Sequence, residues 1–151
     1  MTEKIDKSRD EMYMRMALDE ARRAAEDGEV PVGAVIVTHG RVIGRGHNLT
    51  ETLGDVTAHA EMQAITAAAQ TVGGKYLPDC TLYVTVEPCL MCGGAIGWSQ
   101  LGRIVYGASD PKRGCSTYTD KAYHPRATVT SGVLSDECSA LMKEFFAKRR
   151  K

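Results

Sequence analysis

Thr81-Leu82-Tyr83-Val84-Thr85-Val86-Glu87-Pro88-Cys89-Leu90-Met91-Cys92 is the stretch on which the fold turns. Leu82 to Val86, rich in Val, Thr and Tyr, reads as a buried strand. Pro88 suits the first position of a helix, where its missing N–H costs nothing. That reading puts Cys89 and Cys92 on one face of the first helical turn. Free N–H groups and the positive end of the helix dipole favour thiolates there. Two thiolates so placed are half of a tetrahedral zinc site.

The other half is sought upstream, in Thr57-Ala58-His59-Ala60-Glu61, which opens an Ala-rich helical run to about Gln70. His59 supplies a third ligand, while Glu61 points to another side of the turn. Alone, a C-x-x-C pair also fits a redox dithiol or two buried thiols, and a His at a helix start also fits a cap. Together the fragments read H-A-E and P-C-L-M-C, a pair that resembles the H-x-E and P-C-x-x-C signature of zinc-dependent deaminases.

Around these fragments the chain alternates helices and strands. Met1 to Lys7 is polar and expected to fray. Ser8 with Glu11 has capping-box spacing, so a helix is expected from about Arg9 to Gly28, burying Met14, Ala17, Leu18, Ala21 and Ala25. Val32 to Val37 and Arg41 to Gly46 form an antiparallel hairpin about His39-Gly40. Asn48 closes it, as a turn residue or a functional one, before a loop from Leu49 to Val56. His39 and His47 read as turn or surface residues. In the His59 helix, Met62, Ile65, Thr66 and Ala69 are expected to face the core, and Gly73-Gly74 stops it.

After the cysteine helix, which runs to about Ser99, Arg103 to Gly107 is the next strand. Asp110 to Gly114 is a turn-rich loop. Ser116 to Arg126 carries little signal; Tyr118, Tyr123, His124 and Arg126 there suit RNA contact or plain surface and packing roles. Ala127 to Ser131 is a short edge strand. Ser135 caps a last helix that buries Cys138, Leu141, Met142 and Phe145. Strands separated by helices imply parallel crossovers, so the sheet is expected to be mixed and covered on both faces.

Length and composition agree. A chain of 151 residues, 43% hydrophobic and 25% charged, suits one soluble domain spanning residues 1–151. No apolar run spans a bilayer, and no membrane association is expected. Five cysteines cannot all pair within one chain. With two assigned to metal, a reducing cytoplasmic setting is the simpler reading, and Cys80, Cys115 and Cys138 read as small buried hydrophobes. The formal net charge is zero, so any polyanion contact must come from local patches, of which Lys148-Arg149-Arg150-Lys151 is one. It equally suits a solvated helix end.

The chain resembles the cytidine deaminase-like superfamily, and within it the bacterial tRNA-specific adenosine deaminases. The resemblance rests on Glu29-Val30-Pro31-Val32-Gly33-Ala34-Val35, Arg41-Val42-Ile43-Gly44, both metal fragments, Gly107-Ala108 with Asp110, Gly132-Val133-Leu134 with Glu137-Cys138, and Phe145 to Arg150. It implies a three-layer α/β/α sandwich with a mixed central sheet, usually a homodimer. It also implies Zn2+ on His59, Cys89 and Cys92, and proton shuttling by Glu61. Asn48 is implied to contact the target nucleoside, and the Ala60 N–H the base. The implied reaction is hydrolytic deamination of wobble-position adenosine to inosine in a tRNA anticodon loop. Two departures favour an alternative, deamination of a free nucleobase or nucleotide of guanine or cytosine type. Gly114 to Gly132 is shorter and differently worded than in the tRNA enzymes. Trp98 is similar to the guanine deaminase branch, although a buried Trp is also ordinary core. A third reading is a structural zinc domain with Cys80 as fourth ligand; it leaves Glu61 beside His59 without a purpose.

Overall fold

A computed structural model describes residues 6–149. The elements are α1 (Lys7–Glu26), β1 (Gly33–Thr38), β2 (Arg41–His47), α2 (Thr50–Leu53), α3 (Ala60–Val72), β3 (Thr81–Val86), α4 (Leu90–Trp98), β4 (Arg103–Ala108), a 3-10 turn at Cys115–Thr117, β5 (Thr128–Thr130) and α5 (Ser135–Arg149). The strands form one five-stranded sheet in the order β2-β1-β3-β4-β5. β1 pairs antiparallel with β2 and with β3, whereas β3–β4 and β4–β5 are parallel. The sheet is mixed, as the alternation of helices and strands predicts.

Period-two alternation along the strands separates two cores. Ala34, Ile36, Leu82, Val84 and Ile104 meet Ala60, Ala64 and Ala68 of α3 and Ile96 of α4 on one face. Val35, Val37, Tyr83 and Val105 meet Met14, Ala17 and Leu18 of α1 and Cys138 of α5 on the other. The result is the three-layer arrangement, with the ends of α3 and α4 beside one another on one face.

Several local expectations need correction. Asp6 caps α1, accepting the Arg9 N–H at 3.2 Å, so Ser8 lies inside the helix. Ala24, not Ala25, completes its buried face. Of the segment expected to fray, residues 1–5 lie outside the described residues, and Lys7 is already helical. The Leu49–Val56 loop contains the short helix α2. In α3 the buried face is Ala60, Glu61, Ala64 and Ala68, whereas Thr66 is exposed. Size overrides hydrophobicity there: α3 lies so close to β2 that a Cβ at Gly44 would stand 2.4 Å from Ala64 O, and one at Gly46 2.4 Å from Ala60 O. Alanines fit that approach; Ile65 packs against the same core partly buried, as expected, whereas Met62 and Ala69 are only half-buried. Ser135 opens α5 instead of capping it, and Leu141 and Met142 are only half-buried. Of the terminal basic cluster, Lys148 and Arg149 end α5; residues 150 and 151 lie outside the described residues.

The same close packing occurs between α1 and the sheet. A Cβ at Gly33 would lie 2.0 Å from Ala17 O and 2.4 Å from Ala21 N, both backbone atoms. Gly33→Ala is therefore expected to destabilise by about 1–3 kcal/mol. At roughly 2–4 °C per kcal/mol for a chain of this size, a thermal scan should show the midpoint falling by several degrees. An unchanged midpoint would mean that α1 can move off the sheet freely.

Candidate metal centre

Two helix starts converge at the ends of β1 and β3. His59 is the N-cap residue of α3 and Cys89 the N-cap residue of α4, both with extended backbone. Pro88 therefore stands one residue before the cap and not inside the helix. Cys92 follows in the first turn of α4 and is fully buried. Both helices present unpaired N–H groups and positive dipole ends to this corner.

His59, Cys89 and Cys92 place their ligand atoms within 4.8 Å of one another, the one such group of three among the described residues. Tetrahedral zinc, with Zn–N about 2.0 Å and Zn–S about 2.3 Å, separates nitrogen and sulfur ligands by about 3.5 Å. His59 Nδ1 lies 3.6 Å from Cys89 Sγ and 3.4 Å from Cys92 Sγ. The donor set and its spacing fit zinc. Cys80, just before β3, is outside the group, so the described residues supply three ligands and a catalytic site keeps its fourth position for water.

The electrostatics of the three groups are coupled. Hydrogen bonding from Cys92, then from His59, holds the Cys89 thiol down to about 4 despite burial. Cys92 is pushed far up because it keeps the proton it shares with Cys89. The Cys89 sulfur raises His59 above its ordinary value. Glu61 sits in the first turn of α3, 3% exposed. Burial pushes its carboxyl up to about 7, against the opposing pull of its own N–H and of His59.

A cavity of about 300 Å³ opens on this corner, and its lining includes Asn48, His59, Ala60, Glu61 and Cys89. It brings together all the sequence-predicted site residues except Cys92, which lies beneath it. Asn48 is 8% exposed, and its Oδ1 accepts the Thr50 N–H at 3.2 Å, leaving the amide NH2 to donate. Ala60 is the first residue of α3, so its N–H has no partner within the helix.

Sequence reasoning missed two residues here. Glu29 is fully buried and accepts the Glu51 N–H at 3.1 Å, the Thr52 N–H at 2.6 Å and the Thr52 hydroxyl at 2.7 Å. Burial raises its carboxyl, but these hydrogen bonds outweigh burial and hold it below the usual range. It thereby pins α2, one wall of the cavity. Glu87 does the same for the opposite wall. Glu87 stands between the end of β3 and Pro88, which was the available signal there; Glu29 lies two residues before Pro31 in the connection that leads into β1.

Trp98 is 85% exposed and so is no core residue. His47, expected at the surface, is half-buried and bonds Glu20 Oε1 at 2.9 Å. Tyr123 packs partly against the core, while Tyr118 is exposed.

Residues 7–108 match the cytidine and deoxycytidylate deaminase zinc-binding region. The tRNA-specific adenosine deaminase of Bacillus subtilis is 46% identical over 95% of this chain and 92% of its own length. The chain belongs to the tRNA-specific adenosine deaminases of the cytidine and deoxycytidylate deaminase family. The enzyme of that name from Agrobacterium fabrum is 43% identical, over 91% of this chain and 94% of its own. Among solved structures, one from work on A-to-I editing by tRNA:A34 deaminases superposes with a TM-score of 0.80. It is 43% identical and covers 86% of this chain and 98% of its own. The guanine deaminase of Nitrosomonas europaea superposes at 0.77 with 27% identity, covering 91% and 84%. The family assignment makes the chain a zinc-binding deaminase, with His59, Cys89 and Cys92 as its zinc-binding residues.

Proposed function

We propose that this chain hydrolyses the wobble-position adenosine of a tRNA anticodon loop to inosine, releasing ammonia. The observation that carries the reading is 46% identity over 95% of the chain with a tRNA-specific adenosine deaminase, joined to a cavity whose lining Glu61 shares with the zinc ligands His59 and Cys89. At about 300 Å³ the cavity stands at the small end of ligand sites, so it suits one extruded nucleoside and excludes a paired base. A single-stranded anticodon loop makes that extrusion less costly.

Zinc, when bound, acidifies water toward neutrality and so supplies the attacking hydroxide. Glu61 takes a proton from the attacking water at its carboxylate and delivers it to the ring nitrogen beside C6. It then takes the proton of the hydroxyl added at C6 and passes it to the departing amine, so that ammonia leaves and a carbonyl remains. Asn48 donates its NH2 to the nucleoside, its amide held the right way round by Thr50. The Ala60 N–H donates to the base.

The rest of the reading follows the family. Residues 1–151 act as one deaminase domain. A tRNA substrate sets the work in the cytoplasm, and no helix among the described residues is long and apolar enough to cross a membrane. Two copies pair: Leu90, Met91 and Trp98, all exposed on α4, supply an apolar face suited to a second chain.

The likeness to guanine deaminase gives a second reading, deamination of a free base. Ammonia release from an anticodon stem-loop with adenosine at the wobble position separates the two. Turnover of the stem-loop, with free guanine, cytosine, adenosine and cytidine untouched, is the expected result. Turnover of a free base with the stem-loop inert would overturn it.

A further inference from the structure

Glu87 is a buried carboxylate that the chemistry above leaves unused. It is 6% exposed and lines the same cavity as Glu61. Its oxygens are taken up by the facing loop. Oε1 accepts the Asp110 N–H at 3.2 Å, and Oε2 accepts the Ser116 N–H at 3.0 Å together with the Ser116 hydroxyl. No cation pairs with it among the described residues. A carboxylate buried without a cation carries a desolvation cost that only such hydrogen bonds offset.

The loop is fastened at further points. The Cys115 N–H donates to Pro88 O at 2.8 Å, and Gly114 bridges Cys89. Gly114 lies so close that a Cβ there would stand 2.4 Å from Glu87 Oε1. Within the loop, Asp110 Oδ1 accepts the N–H groups of Lys112 at 3.1 Å and Arg113 at 3.0 Å. This tight turn sets Arg113 in the lining of the cavity, exposed and with no ion-pair partner among the described residues. In a chain of zero net charge, a free guanidinium at the mouth of the cavity is a local anion site.

We propose that Glu87 is a positioning residue that holds the Asp110–Ser116 loop so that Arg113 contacts a backbone phosphate flanking the nucleotide taken into the cavity. The inference rests on the RNA reading above. A strand entering base-first leaves its flanking phosphates at the mouth, and a planar guanidinium pairs with phosphate through two parallel hydrogen bonds. Glu87 acts through the loop and touches no reacting atom.

The test is steady-state deamination of the anticodon stem-loop at several salt concentrations. Wild type, Arg113→Ala, Glu87→Gln and the double variant are compared, with zinc content and thermal midpoint measured for each. Arg113→Ala should raise KM about tenfold more than it lowers kcat. It should also flatten the slope of log KM against log salt by about 0.7, the share of one phosphate on a single strand. Glu87→Gln should flatten it in the same direction with its zinc retained, and the double variant should be no worse than the poorer single. Should Glu87→Gln lose zinc or fold, Ser116→Ala removes only the hydroxyl on the same carboxylate and takes its place. An unchanged salt slope in Arg113→Ala overturns the phosphate contact. Additive losses in the double variant overturn positioning through Arg113. A wild-type enzyme inert on the stem-loop overturns the RNA reading itself, an outcome distinct from an active wild type that Arg113→Ala leaves unaltered.

Discussion

Glu61→Gln is expected to keep its zinc and lose about three to four orders of magnitude in kcat. Glutamine reproduces the shape of the side chain, and the three ligand atoms that meet at the metal belong to His59, Cys89 and Cys92. What it cannot do is accept a proton and give it back. The site offers no substitute in the same place: Glu87 is engaged with the loop and Asp110 with its own turn. The pH profile gives the assignment a second handle. Burial raises Glu61 to about 7, and a dication beside it draws the value back down. A proton acceptor works from its ionised form, so kcat/KM should fall with acidification along a limb lying below pH 7. Stem-loop kinetics and metal analysis on the purified variant check both points. Near-normal turnover would remove Glu61 from the chemistry, and parallel loss of zinc and activity would make it a ligand.

The zinc corner was legible because each fragment carries its own local signal. A strand, a proline and a C-x-x-C pair fix one helix start, and H-A-E at the head of an alanine run fixes the other. Topology then needs only to place two helix starts side by side. The α3 face was read only in part: Ile65 does pack against the core, but hydrophobicity ranks Met62 above the alanines that the glycines of β2 admit. Nothing near Gly44 and Gly46 in sequence announces a helix about 20 residues on as their packing partner. Trp98 failed for the opposite reason, since a large apolar side chain reads as core unless a partner surface is known. The two wall-holding carboxylates are the hardest class. Glu29 bonds backbone groups 22 and 23 residues away, and Glu87 groups 23 and 29 away. Loop N–H groups are identical in every sequence, so no residue type marks them as partners.

Removal of zinc should abolish turnover while leaving the fold cooperative. α3 and α4 are held on the sheet by Ala60, Ala64, Ala68 and Ile96, all fully buried, and that packing does not pass through the metal. The ligands also satisfy one another, since His59 Nδ1 and the two sulfurs lie within hydrogen-bonding reach. Cys89 is held down to about 4 by that arrangement. Chelation should therefore lower the thermal midpoint without collapsing far-ultraviolet circular dichroism, and zinc returned in stoichiometric amount should restore activity. Cys89→Ala and Cys92→Ala should lose both zinc and turnover, because a tetrahedral site left with two protein ligands loses most of its affinity. The affinity of the unmodified chain should weaken with falling pH, since Cys92 keeps its proton until a metal displaces it. The competing outcome is definite. A structural zinc contributes folding energy outright, so unfolding upon chelation would mean that the metal holds the corner together, and the open catalytic position would have to be reconsidered.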